Sequence, residues 1–130
     1  STDDMFKVLK LPKTGKMFFE SVLLSTEDLT GKELSTFQEV LEGARRLGLQ
    51  KCTPRVALEL RLQYLDQPVN EYIQIGMDPM VSSEGEHLIF SLGCSEDYGL
   101  EILGLPVESN HRELEGDELW VFLLPQHKRK

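Results

Sequence analysis

A chain of 130 residues, 40% hydrophobic and 28% charged, has the size and composition for one hydrophobic core, which excludes a disordered polyelectrolyte. Its net charge of −8 opposes contact with nucleic-acid phosphates, and two cysteines, Cys52 and Cys94, are too few for the disulfide framework of a small secreted protein. No apolar run approaches the ~20 residues that span a membrane, and the acidic start Ser1-Thr2-Asp3-Asp4 lacks the basic flank and apolar core of a secretion signal.

These features read as one cytoplasmic domain over residues 1–130. Met5 to Leu11 is apolar with interspersed lysines, and Pro12-Lys13-Thr14-Gly15 is turn chemistry leading into Met17 to Leu24. A β-hairpin is expected there, with Lys7, Lys10, Lys13 and Lys16 as charged guards of an edge. Thr30 and Glu33 then have the spacing of a capping box, and Leu29 and Leu34 that of a hydrophobic staple. Leu34, Phe37, Leu41, Ala44 and Leu47 recur at three- and four-residue steps. Arg45 and Arg46 suit a helix C-terminus, and Gly48 suits the left-handed residue that ends it. The spacing predicts one main helix over about residues 30–47.

After Thr53-Pro54, the residues Val56, Leu58, Leu60, Leu62 and Tyr64 alternate with Ala57, Glu59, Arg61 and Gln63. Alternation of this kind favours a half-buried strand. Helix is the competing reading, because the residue types are good helix formers and Thr53 with Pro54 would serve as N-cap and first helical residue. A loop over Asp66–Asn70 would return the chain into Tyr72–Ile75 as a second hairpin. Further strands are expected at His87–Leu92, Leu100–Leu103 and Leu119–Leu124. The most hydrophobic of them, around Trp120, reads as core if central and as a partner surface if it lies at an edge. The predicted class is α+β: an antiparallel sheet of about five to seven strands with the single helix packed on one face.

No phosphate-binding loop, dinucleotide fingerprint, nucleophile elbow or metalloprotease motif is present, and no cofactor is expected. His87, His111 and His127 do not have zinc-site spacing. Glu108, Asn110, Glu113, Glu115 and Asp117 are dense in oxygen but lack the ligand spacing of a calcium loop. Catalysis would centre on Cys94 in Gly93-Cys94-Ser95-Glu96-Asp97, activated by His87 or His111 with Asp97 orienting the imidazole. Its alternative is a structural cysteine.

The clearest functional cue is where the charge sits. Residues 66–118 hold thirteen acidic residues against one base, Arg112, whereas residues 1–65 are nearly neutral. The leading expectation is a non-enzymatic domain that binds a basic protein partner through Glu108, Glu113, Glu115, Asp117 and Glu118, as an inhibitor, immunity or adaptor protein. A small enzyme or ligand-binding domain with a Cys/His site is the alternative. A structural subunit, with homo-oligomers included, is a third. The tail Lys128-Arg129-Lys130 is too short to imply nucleic-acid binding.

Overall fold

The computed structural model describes residues 7–12, 18–108 and 110–125. The predicted turn residues 13–15, together with Lys16, His127 and the basic tail, lie outside the described residues. The elements in chain order are β1 (Lys7–Pro12), β2 (Phe18–Ser25), α1 (Thr26–Thr30), β3 (Leu34–Ser35), α2 (Phe37–Arg46), α3 (Pro54–Gln63), β4 (Tyr72–Ile75), β5 (Met80–Val81), β6 (His87–Ser95), β7 (Gly99–Pro106), β8 (Leu114–Glu115) and β9 (Leu119–Leu123).

The expected architecture needs two corrections. The main sheet has seven strands but is mixed, because β9 pairs antiparallel with β2 and parallel with β4. Two ten-residue helices, α2 and α3, cover it in place of one. The physical origin of both lies in residues 53–64. Thr53 accepts the Val56 N–H and Pro54 opens the first turn, so the segment coils instead of pairing. Its apolar alternation carries no strand meaning, because Leu58 and Leu62 are exposed while Val56, Ala57 and Leu60 are buried. β4, deprived of the expected hairpin partner, pairs with β6 and β9.

The predicted helix over 30–47 is also divided. Three Ser/Thr-x-x-acid motifs follow one another, and the flanking two are the caps. Ser25 with Asp28 starts α1, and Thr36 with Glu39 starts α2, each as a reciprocal capping box. Between them Gly31 adopts φ +74°, which ends α1 after five residues. Thr30 is therefore no N-cap; its hydroxyl donates to the Thr26 carbonyl. Leu34 is exposed, so the predicted staple is absent, whereas Gly48 does take the left-handed conformation, at φ +77°.

The β1–β2 hairpin and the strands around His87, Leu100 and Trp120 are present as expected. The strand order runs β1-β2-β9-β4-β6, and β5 continues along the same side of β6 as β4. β7 lies along the other side of β6, so among the described residues β1 and β7 are the two long edges of the sheet, and the two-residue β5 ends the path beside β4. α3 approaches both edge strands as well as β6, which means the sheet curls around this helix.

β9 is central, and both of its faces are covered. Trp120 and Phe122 lie on one side, Val121 and Leu123 on the other, and all four are buried. The Trp120 ring lies 5.9 Å from that of Phe37, which docks α2, and its indole N–H donates to the Thr26 hydroxyl at 2.8 Å. The run around Trp120 is core, and its burial ties both short helices to the sheet.

Candidate functional site

Two acidic residues of the second half, Glu115 and Asp117, stand beside two of the first half, Glu27 and Glu33, where a two-stranded ribbon meets the start of α1. β3 and β8 pair antiparallel, with Leu34 opposite Glu115. The turn that follows β8 is tied to the first half by three backbone bonds. The Thr26 N–H donates to the Glu118 carbonyl, the Glu27 N–H to the Gly116 carbonyl, and the Gly116 N–H to the Glu33 carbonyl, at 2.8 to 2.9 Å. The approach at Gly116 is close: a Cβ there would stand 3.3 Å from Glu27 Oε2 and 3.4 Å from the Lys32 carbonyl oxygen.

The outcome is a shallow concavity of about 400 Å³ lined by Glu27, Glu33, Leu34, Glu115, Gly116 and Asp117. Two of its four carboxylates come from the half of the chain that is nearly neutral by count. All four are exposed. The bases that flank them in sequence are engaged elsewhere: the Lys32 ammonium and the Arg112 guanidinium both pair with Glu39 on α2. The Lys32 hydrogen bond, then the Thr36 N–H of the capping box, and to a smaller degree the Arg112 charge hold the Glu39 carboxyl down at about 2. Glu39 thus holds two neighbouring cations on α2, and no described cation lines the concavity.

Among the residues expected to bind, Glu115 and Asp117 line the concavity, and Glu118 lies beneath it. Glu118 is half-buried, and burial pushes its pKa up. Its carboxylate accepts from the Gln74 amide and from the Glu115 N–H, so it shapes the turn. Glu108 pairs with His111 at 2.8 Å, outside the concavity, and Glu113 is exposed. Glu27 and Glu33 escape sequence reasoning because they lie about ninety residues from their neighbours in space, and no local pattern marks them.

The residues of the Cys/His reading are not assembled. Cys94 lies inside β6 rather than after a strand, and is buried. His87 stands seven residues up the same strand, about 23 Å away at ~3.3 Å per residue. His111 is engaged with Glu108, and Asp97 is exposed in the β6–β7 turn. The nearby guanidinium, Arg61, donates to the carbonyls of Tyr64, Glu101 and Gly93 at 2.7, 2.9 and 3.1 Å. The other thiol, Cys52, is pushed up to about 12 by burial, which removes it as a nucleophile.

A second, larger groove of about 850 Å³ runs along α2, where Lys32, Arg45, Arg46 and Lys51 share the lining with Glu39 and Glu42. Arg45 pairs with Glu42, so the groove is mixed in sign. Among the described residues, no group of three His, Cys, Asp or Glu side chains is placed to hold a metal ion, and no helix is long and apolar enough to cross a membrane. No family model, curated protein or solved structure matches this chain.

Proposed function

We infer that this is a protein-binding domain whose acidic concavity, formed by Glu27, Glu33, Glu115 and Asp117, receives a basic segment of another protein. The observation that carries the reading is the sorting of charge around Glu39. With Lys32 and Arg112 both drawn to that one carboxylate, four exposed carboxylates share a concave surface that no described cation lines. Such a surface attracts a lysine- or arginine-rich partner, speeds encounter and selects against acidic competitors. A role as inhibitor, immunity protein or adaptor fits, because each requires recognition and no reacting group.

The test is capture of binding partners followed by calorimetric titration of the tightest one across ionic strength. The reading requires a basic partner whose affinity falls steeply as salt rises, since exposed charges are screened within ~10 Å at 0.1 M. A partner bound with the same affinity at low and high salt contradicts it.

A further inference from the structure

The two long edges of the main sheet differ in how they meet solvent. β1 carries Lys7, Lys10 and a terminal proline, residue types that discourage edge pairing. β7 reads Gly-Leu-Glu-Ile-Leu-Gly-Leu-Pro over eight residues, with no lysine and one acidic residue. Leu100 and Leu103 are exposed along it, and Tyr98, in the turn just before it, is 81% exposed.

Hydrogen bonding fixes which backbone groups of β7 are open. On β6, the Cys94 N–H and carbonyl are used by Glu71 and Asn70, and the Phe90 N–H points to Met77, so even-numbered residues of β6 face β4. Odd-numbered ones face β7, as the bond from the Val107 N–H to the His87 carbonyl shows. In register these pair with Gly99, Glu101, Leu103 and Leu105. Leu100, Ile102 and Gly104 therefore present their N–H and C=O outward, and among the described residues no backbone or side-chain partner meets them.

We propose that the outer edge of β7 pairs antiparallel with the same edge of a second copy of this chain, about a two-fold axis at Ile102. The edge is complementary to itself in this register. Ile102 exchanges two bonds with Ile102 of the second copy, and Leu100 does so with Gly104 on either side of the axis, so every outward N–H finds a carbonyl. Side chains agree with it too. Glu101 stands opposite Leu103 of the second copy in a closely spaced non-hydrogen-bonded pair, so no like charges face each other there. Shifting the register by two residues in one direction sets Glu101 against its own copy, and in the other sets Leu100 against Pro106, which has no N–H to give.

A strand pairing of this length lies at the small end of specific interfaces, so the dimer is weak, with a Kd between about 10 μM and 1 mM. Because each copy is strongly acidic, salt strengthens this association, the reverse of its effect on the basic-partner site.

The test is sedimentation equilibrium on the full chain, with circular dichroism confirming that each variant folds. The wild type should move toward twice the monomer mass as concentration rises to about 1 mM, and further at higher salt. Leu103→Glu places a carboxylate opposite Glu101 of the second copy and should weaken the dimer about 10-fold or more. Leu103→Lys should tighten it by a few-fold, although lysine at a strand edge ordinarily prevents pairing. The swap Glu101→Lys with Leu103→Glu should restore wild-type association. A chain that stays monomeric throughout, a dimer indifferent to Leu103→Glu, or a swap that remains dissociated would each overturn the proposal. So would a β7 edge occupied only by a different protein.

Discussion

α2 and α3 are of equal length, yet they are held to the molecule by different forces. α2 docks by close apolar approach: Phe37 packs at a tilt against Trp120, and Gly43 lets α1 come so near that a Cβ there would stand 2.1 Å from the Leu29 carbonyl oxygen. α3 buries only Val56, Ala57 and Leu60, leaving Leu58 and Leu62 in solvent, and is fastened at its C-terminal end by Arg61. That guanidinium joins the last turn of the helix to the β6–β7 ladder, and burial lowers its pKa. Close shape complementarity holds one helix, and a narrow apolar stripe reinforced by one partly desolvated cation holds the other. The first arrangement tolerates no added volume at Gly43, and the second is sensitive to loss of the Arg61 donor.

The largest expected effect comes from breaking the first arrangement. Gly43→Ala improves helix propensity by up to ~1 kcal/mol. The added methyl, however, meets backbone that cannot rotate away, and overpacking costs about 3 kcal/mol or more. Net destabilisation of at least about 2 kcal/mol should appear in chemical denaturation, with α2 detaching from Trp120 as a change in its fluorescence. Arg61→Met breaks the second arrangement. Gly93 and Glu101 keep their ladder bonds, and the cost of burying a cation is relieved, so the loss should be about 2 kcal/mol rather than the sum of three charged hydrogen bonds. Measured at equal denaturant slope, a loss below ~0.5 kcal/mol would show that α3 is held by its apolar face after all.

The caps sharpen the same contrast at smaller scale. Thr36 belongs to a reciprocal box with Glu39, whereas Thr53 has no acidic partner at the third helical position. Thr36→Ala should cost about 1 to 1.5 kcal/mol and Thr53→Ala about 0.5 to 1, both readable from denaturation midpoints.

Least in magnitude is the pH response of Glu39 on α2 and of Glu118 in the turn before β9. Glu39 has a folded pKa of about 2 against an ordinary 4.5, so its contribution is complete above 4.5 and is lost as pH falls toward 2. Glu118 is shifted upward by burial, so its protonation favours the fold as pH falls. Glu39→Gln, which retains the capping acceptor, should flatten the acid limb below pH 4.5 in a pH series of thermal midpoints. The same substitution frees Lys32 and Arg112 and should weaken binding of a basic partner.

The strands β6, β7 and β9 and the opening hairpin were legible because apolar runs, glycine turns and β-branched or aromatic residues agree there, whereas β8 was read as a turn and the sequence left open whether the run around Trp120 was central or at an edge. The helical region was legible only in part. Three consecutive capping signatures are equivalent locally, and Gly31 decides among them by adopting a backbone conformation that its neighbours could not. In α3 the alternation of leucines outweighed Thr53 and Pro54, although two of those leucines never needed burial. The site was half legible. Charge counting reaches Glu115 and Asp117, but the bonds from Gly116 to Glu27 and Glu33 join segments that only the tertiary fold brings together.

The central claim is that these four carboxylates act as a place and not as a share of total charge. Two variants of equal net charge separate the alternatives. One reverses Glu27, Glu33, Glu115 and Asp117 to lysine, and the other reverses the exposed Glu84, Glu86, Glu96 and Asp97. Titrated against the same captured basic partner at fixed salt, the first should lose affinity by about 100-fold or more and the second by no more than about 3-fold. Equal losses in the two variants would contradict the account.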